Sequence, residues 1–533
     1  MSDQYFRNGW KSRAAALVIG VLAFGGLQQA IAAEQETAKE TPPNIVLIMV
    51  DDMGYSDIGC YGGEIATPNL DALAKRGIRF RQFYNNAKCT TTRASLITGL
   101  YPRRKGKLLK ENMITIAEGL KQAGYQTGLS GKWHLGDTSP HRPIDRGFDR
   151  FFGLLDGCCN FFDPSIPDPD FKGNRQRVFA REDQRMTEFP EDFYTTDAFS
   201  NYSAELIDTF SAKGKPFFLH VCYTAPHYPL HAKPEDIAKY EGRYDAGWEA
   251  LRLERYQRQL EMGVLQKEWE LPPRDREVGP WEEETNKDWQ TRRMEVYAAM
   301  VDSMDQGVGK IMKALEKNGV LDNTVIMFLS DNGGCAEEPG GADPTAIPGP
   351  KDFYTTCGPA WAWAQNTPFR RYKQWVHEGG IATPFIAAGP GIERQGEFVN
   401  DVAHIIDLLP TCLDLAQVNY PKRFNETKVL PVDGKSIVPI LEGKSRKAHK
   451  TLCWEWSRNR AIRQGNWKLA WDRGVEKWEL YRLDQDRTEL NNLADEYPER
   501  VAKMSQAWIE WAQETNISYA KDLQANASKN RRE

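Results

Sequence analysis

Neither sign of charge dominates this chain of 533 residues. Its 69 Lys and Arg stand against 74 Asp and Glu, a formal net charge of −5 at pH 7. A field of one sign is therefore missing, which excludes nucleic acid or an anionic membrane as a partner held by bulk charge. Any charge selection must be local. After residue 33 no apolar run is long enough to span a bilayer. Internal repeats and low-complexity tracts are absent too, which excludes solenoids and disordered tails. The nine cysteines match no zinc spacing, and adjacent Cys158 and Cys159 cannot act as a CxxC pair. Their odd number leaves at least one thiol without an intramolecular partner, and Cys89 is the candidate. What remains is ordinary folded-protein composition, 41% apolar and 27% charged, in a chain long enough for one large domain and a smaller one.

The first residues stand apart. Arg7, Lys11 and Arg13 precede an apolar stretch from Ala14 to Gly26 and then Ala30-Ile31-Ala32-Ala33. A basic start, an apolar middle and a small-residue site are the layout of a secretory signal, here residues 1–33. The expectation is export to the periplasm or medium, with no stable membrane insertion once the signal is removed.

Short apolar runs alternate with helical patterns, as in an α/β fold with a large, mostly parallel, buried sheet flanked by helices. Asn44–Val50 reads as a central strand, joined by Pro216–Cys222 and Thr324–Leu329. Thr383–Ala388 reads as an edge strand because of Pro384. Thr67-Pro68 predicts an N-capped helix start, and Met294–Leu315 an amphipathic helix with Tyr297, Met300, Val301, Met304 and Val308 on one face. The main domain spans about 44–445, with a polar, Trp-containing insertion at about 233–290 that reads as a surface excursion or a lid. Residues 446–533 turn to short Trp-rich strands, such as 462–471 and 478–483, and a last helix from about Tyr497 to Thr515. They predict a smaller antiparallel subdomain.

Each predicted strand runs into polar residues suited to chemistry. The first ends at Asp51-Asp52, the third at Asp331-Asn332-Gly333, and the second leads to Ala225-Pro226-His227. Ligands of open α/β sheets bind beyond the carboxyl ends of strands, so three distant clusters would meet on one edge. Alone, Asp-Asp could be a helix cap and Asp-Asn-Gly a turn. Together Asp51, Asp52, Asp331 and Asn332 offer oxygen ligands suited to calcium, or alternatively magnesium, rather than zinc.

The segment Cys89-Thr-Thr-Thr-Arg93, followed by Thr98-Gly99, resembles the signature of the type I, formylglycine-dependent sulfatases of the alkaline phosphatase superfamily. Gly131-Lys132-Trp133-His134, Thr224-Ala225-Pro226-His227 and Lys373 ahead of Glu378-Gly379-Gly380 match further family segments, and the resemblance covers nearly the whole chain after the signal. Bacterial arylsulfatases are the nearest in pattern. The resemblance implies that Cys89 is oxidised to formylglycine by a maturation enzyme and that its hydrated aldehyde is the nucleophile. It also makes Cys89 a fifth contact to the cation held by the four residues above. Arg93 would hold the hydrate, Lys132 and Lys373 would bracket the sulfate, His227 would protonate the leaving oxygen, and His134 would drive sulfate release. The expected substrate is a sulfated small molecule or carbohydrate.

Two departures are visible. Thr91 stands where the family has Pro or Ala, a position read by the maturation machinery, and Arg371-Tyr372 precede Lys373 where many relatives have Gly-Gly, which would narrow the cleft mouth. Two rival classes remain open at this point. One is a phosphoryl-transfer enzyme using Thr90 or another hydroxyl, the other a non-catalytic binder of sulfated glycans. Trp361, Trp363 and Trp375 could stack on substrate or belong to the core.

Overall fold

The computed structural model describes residues 42–102 and 109–529. The signal predicted at 1–33 lies outside the described residues. A ten-stranded sheet forms the centre. Its strands are β1 (Asn44–Val50), β2 (Gly77–Tyr84), β3 (Gln126–Gly131), β4 (Arg150–Leu154), β5 (Phe179–Arg181), β6 (Gln184–Met186), β7 (Phe217–Cys222), β8 (Thr324–Ser330), β9 (Ala382–Ala388) and β10 (Phe398–His404). They run in the order β10-β2-β9-β8-β1-β7-β3-β4-β5-β6. The block β8-β1-β7-β3-β4 is parallel throughout. That is the α/β architecture expected.

Strand β1 shows why the sheet is central. Val46, Ile48 and Val50 enter one core, and Ile45, Leu47 and Met49 the other, all of them buried. A strand covered on both faces needs apolar residues at both parities, hence its unbroken run. Helices Thr195–Ser211 and Lys287–Lys317 pack on the first face. Helices Cys89–Thr98, Ile116–Gln122 and Leu408–Leu415 pack on the second. Tyr297, Met300, Val301, Met304 and Val308 are buried as their spacing predicts. Thr67 precedes the helix Pro68–Arg76, but its hydroxyl accepts from Gly59 N (2.8 Å) instead of capping that helix.

Strand β9 corrects one expectation. It lies between β2 and β8, not at an edge. Proline lacks an N–H, and Pro384 falls where the β2 register shifts between Phe80 and Phe83. On the other side Thr383 Oγ1 accepts from Ser330 N (3.0 Å) and donates to Ser330 O (2.9 Å), so side chain replaces backbone in the ladder.

The insertion is not a loose excursion. It contains the helix Gly247–Glu261, whose Trp248, Leu251, Arg252 and Arg255 are buried. Arg255 pairs with Asp57 (2.6 Å) and Glu64 (2.7 Å) in the main domain. After a two-residue ribbon of β11 (Arg423–Phe424) and β12 (Thr427–Lys428), a second sheet follows. It is an antiparallel meander of β13 (Leu452–Trp456), β14 (Asn459–Gln464), β15 (Trp467–Asp472) and β16 (Lys477–Arg482). Helix Pro498–Glu514 buries Met504, Trp508 and Ala512 against it. Trp361, Trp363 and Trp375 are all buried, so they are core and not stacking surfaces. Trp361 meets Trp248 at 5.5 Å between ring centroids.

Candidate active site

Three loops meet at the carboxyl edge of the parallel block. Asp51 N donates to Ala225 O (3.1 Å) and Asp331 N to Val50 O (3.1 Å), which fixes the loops after β7, β1 and β8 to one another. Asp51, Asp52, Asp331 and Asn332 are each at most 1% exposed. Asp52 holds a left-handed φ of 65°, and its N–H donates to Asp331 Oδ1 (3.3 Å). Asn332 Nδ2 donates to Asp52 Oδ1 (2.6 Å) and to Gly333 O (2.9 Å), so the amide nitrogen is spent and Oδ1 is left without a partner.

Cys89 opens the helix Cys89–Thr98, which is buried nearly all round. A buried helix tolerates Thr and Ser only where their hydroxyls find partners. Thr98 donates to Ala94 O (2.6 Å), Thr92 accepts from Asn86 N (2.9 Å), and Ser95 accepts from Asn86 Nδ2 (2.7 Å). Thr91 donates to Lys88 O (2.9 Å). The first N–H groups of this helix point out at Cys89, and a helix start of this kind favours anions. Arg93, one turn on, sends Nε and Nη2 to Asp331 Oδ2 (3.1 and 2.8 Å) and Nη1 to Lys132 O (2.9 Å).

Lys132 follows β3 directly. A Cβ at Gly131 would lie 1.9 Å from Cys222 O, so only glycine lets β3 approach β7 closely enough to place this lysine. Lys132 Nζ pairs with Asp51 Oδ2. Lys373 Nζ pairs with Asp52 Oδ2 (2.8 Å) and Glu337 Oε2 (3.0 Å). His227 Nδ1 bonds Tyr228 O (2.6 Å), and its Nε2 stands 3.4 Å from Asp52 Oδ2. The His134 ring packs over Gly157, where a Cβ would come within 2.6 Å of Nε2. Arg93, Lys132, Lys373 and His227 therefore converge on the Asp51, Asp52 and Asp331 carboxylates, and His134 follows Lys132 in the chain, against Gly157.

Burial and charge set the ionisation here. Burial raises Asp51 above the usual carboxylate range, helped by Asp331 and opposed by Lys132. Burial pushes Asp52 the same way, but His227 and Lys373 outweigh it and hold it low. Burial raises the Cys89 thiol. It would lower both lysines, yet Asp51 holds Lys132 up and Asp52 holds Lys373 up. His227 falls to about 4, mainly through burial. His134 falls well below its ordinary value by burial and then by Lys132 and Arg93.

Two oxygens at this edge are buried with no hydrogen-bond partner: Asp51 Oδ1 and Asn332 Oδ1. An orphaned buried oxygen is costly unless something else satisfies it. Two such atoms on adjacent loops, beside the carboxylates of Asp52 and Asp331, fit a hard divalent cation. Asp51, Asp52 and His227 also offer ligand atoms within 4.8 Å of one another.

Sequence reading missed Glu337. It accepts from Lys88 Nζ (2.9 Å) and Tyr228 Oη (3.0 Å) as well as pairing with Lys373, and so ties the Cys89 and His227 loops to that lysine. A lone carboxylate in a loop has no spacing signal. Its place five residues after Asn332 was the one available hint. The reading of Arg371 and Tyr372 also changes. Both are buried behind the Lys373 loop, with Arg371 paired to Asp275 (2.9 Å) and Asp472 (3.0 Å) and Tyr372 bonded to Glu277. They do not narrow the mouth but buttress the loop. Arg371 holds a φ of 64°, a strain of order 1 kcal/mol that its ion pairs with Asp275, Glu277 and Asp472 offset. His220 and His231 serve structure, bonding Leu47 O (3.0 Å) and Phe353 O (2.8 Å).

Orphaned oxygens for a cation, a helix start and three buried cationic side chains suit a small tetrahedral anion. That is the demand of an enzyme that cleaves anionic esters. Comparison with known proteins narrows the class. The family described as Sulfatase matches residues 43–418, and N-sulphoglucosamine sulphohydrolase, C-terminal, matches 370–514. An arylsulfatase of Klebsiella aerogenes is 33% identical over 83% of this chain and 99% of its own length. An uncharacterised sulfatase of Schizosaccharomyces pombe is 34% identical over 91% and 96%. The crystal structure of Ps i-CgsB in complex with k-i-k-neocarrahexaose is 27% identical, covers 88% of this chain and 93% of that one, and has a TM-score of 0.66. The chain belongs to the sulfatase family, and it is an enzyme that hydrolyses sulfate esters.

Proposed function

We propose that this sulfatase cleaves sulfate monoesters of carbohydrates or small aryl alcohols after export, with Cys89 converted to formylglycine by a maturation enzyme. Calcium, with magnesium second, would be held by Asp51, Asp52, Asp331 and Asn332 beside residue 89. The observation that carries the reading is the pair of unpartnered buried oxygens, Asp51 Oδ1 and Asn332 Oδ1, at the edge where Arg93, Lys132 and Lys373 converge. Such an edge binds a cation and an anion together. When bound, the cation supplies positive charge at a sulfuryl oxygen, and formylglycine supplies the hydroxyl that attacks sulfur.

The chain's own residues do the rest. Lys132 and Lys373 bracket the sulfuryl oxygens, and Arg93 fixes Asp331 and the nucleophile's position. His227 keeps Nδ1 on the Tyr228 carbonyl, which aims Nε2 into the site. The negative charge of a bound sulfate favours the imidazolium against the effect of burial, so Nε2 can carry the proton to the departing oxygen. His134 has no carboxylate partner on its buried Nδ1 and stays neutral. A neutral imidazole can accept the proton whose removal lets sulfate leave.

Export rests on the residues 1–33 pattern. Among the described residues no helix is long and apolar enough to cross a membrane. The test is to produce the chain with and without a formylglycine-generating enzyme and measure release from 4-nitrophenyl sulfate and 4-nitrophenyl phosphate. Sulfate release that needs conversion and added cation is expected. Preference for the phosphate would overturn the reading.

A further inference from the structure

Beyond Tyr228 the wall of the site carries a cation that the reaction above does not use. Lys172 ends the turn Asp170–Lys172, and its ammonium bonds Tyr354 Oη and approaches the Cys158 thiol (3.3 Å). Both partners are neutral in their ordinary state. The carboxylate in range is Asp168, 4.0 Å away. Arg177 already takes the same Asp168 oxygen. Only 15% of the Lys172 side chain is exposed. A mostly buried ammonium whose ion pair is long and shared with Arg177 is only partly neutralised, so an anion placed beside it is favoured.

The position of Lys172 joins it to the reaction. Its Nζ lies 5.2 Å from the Tyr228 ring centroid, and Lys373 Nζ lies 5.7 Å from the same centroid. Both ammonium groups thus stand over the same aromatic ring. Tyr228 also packs on the His227 ring, with centroids 4.1 Å apart. At the rim, Phe171 is 53% exposed, and it meets Tyr354 edge-on at 5.6 Å. Tyr354 in turn meets Tyr228 at 6.0 Å. A half-exposed aromatic ring, one face of it against Gly340, next to a partly neutralised ammonium matches a pyranose with an acidic substituent. The C–H face of the sugar covers Phe171, and the acid meets Lys172.

We propose that Phe171, Lys172 and Tyr354 form a subsite for a second sugar ring that bears a sulfate or carboxylate, next to the ring whose sulfate is cleaved. The proposal rests on the sulfatase reading above, and the two fail separately. Four substrates test it on the converted, cation-loaded enzyme: 4-nitrophenyl sulfate, a neutral monosulfated disaccharide, and that disaccharide with a second sulfate or with a carboxylate on the neighbouring ring. The unmodified enzyme should prefer at least one charged disaccharide to the neutral one by roughly tenfold or more in kcat/KM. Which anion is preferred identifies the source. Lys172→Met should erase that preference, losing roughly tenfold more on the charged disaccharide than on 4-nitrophenyl sulfate. Phe171→Ala, a change at an exposed position, should raise KM for all the disaccharides more than for the aryl ester. No preference in the unmodified enzyme, or equal losses by Lys172→Met on every substrate, would overturn the subsite. An enzyme inert toward 4-nitrophenyl sulfate would instead overturn the reading beneath it.

Discussion

Glu337 shares with Asp52 the ammonium of Lys373, at 3.0 Å and 2.8 Å respectively. If Asp52 turns its charge to a bound cation, Glu337 becomes the group that keeps Lys373 aimed and charged. Lys373 and Lys88 in turn hold Glu337 far below the ordinary carboxylate range, although burial opposes them. The Glu337 side chain is 22% exposed, so its replacement should spare the fold. Glu337→Gln should lower kcat/KM for sulfate esters by roughly tenfold, the cost of one charge-assisted hydrogen bond. Steady-state kinetics check this, and unchanged constants would remove Glu337 from any positioning role.

Much of this site is legible in the sequence, and the reasons are particular. Asp51-Asp52 and Asp331-Asn332 were visible because strands buried on both faces are unbroken apolar runs, and the residues after them must sit at one edge. Cys89 and Arg93 were visible through a motif. Glu337 was hidden because it acts through contacts with Lys88, Tyr228 and Lys373, which come together only in three dimensions. Pro384 misled for a local reason, since a register shift and the Thr383 hydroxyl make a proline tolerable inside the sheet. Arg371 misled because its partners Asp275 and Asp472 come from the insertion and the second sheet, far off in the chain.

Cys89 is 1% exposed in the folded chain. If Cys89 is converted as proposed, a maturation enzyme has to reach it before the helix Cys89–Thr98 packs, when the Thr91 hydroxyl is not yet bonded to Lys88 O. Chain synthesised together with a formylglycine-generating enzyme should show the converted peptide by mass. Chain folded first and treated afterwards should keep its thiol and show negligible turnover. Full activity with an intact Cys89 thiol would refute the conversion.

The unpartnered oxygens of Asp51 and Asn332 make a further prediction. A chelator should stop turnover and lower the melting temperature, because a ligand bound only to the folded state stabilises it. The gain is about 2.7 kcal/mol at a hundredfold excess over Kd. Calcium should restore both readouts better than zinc if the donors are the proposed oxygens of Asp51, Asp52, Asp331 and Asn332. Elemental analysis of active enzyme that found stoichiometric zinc would contradict the ligand set.

Glu378 sits fully buried between Lys468 (2.8 Å) and Arg487 (3.1 Å), and it accepts from Tyr84 Oη (2.8 Å). It ties the segment after Lys373 to β15. Burial alone would raise its carboxyl, but Lys468 and Arg487 lower it from 4.5 to about 2. A carboxylate lowered on folding stabilises the fold in full above its unfolded value and loses that contribution as pH falls toward its folded value. The window is therefore pH 4.5 down to about 2. Glu378→Gln should cost roughly 3–5 kcal/mol at neutral pH, because Arg487 loses its carboxylate partner and Lys468 is left with Glu489 (2.7 Å). Its stability should also fall less steeply with acid across that window. Urea unfolding at a series of pH values measures both effects.

The last prediction separates the two histidines. His227 aims Nε2 into the site beside Asp52, whereas the ring of His134 lies against Gly157 with a buried, unpartnered Nδ1. If His227 protonates the leaving oxygen, its loss should matter most where that oxygen leaves badly. A sugar alkoxide needs the proton, while a nitrophenolate is already stable as an anion. His227→Ala should slow sugar sulfates by roughly 10²–10⁴ and 4-nitrophenyl sulfate far less. If His134 acts after the alcohol has gone, its removal should slow the return of free enzyme by the same factor for every substrate. Its signature is a burst of alcohol equal to the enzyme concentration, followed by a slow phase whose rate does not depend on the leaving group. Stopped-flow kinetics on both variants with an aryl and a sugar sulfate distinguish these patterns. Equal losses on both substrates for His227→Ala, or no burst for His134→Ala, would reverse the assignment of acid and base.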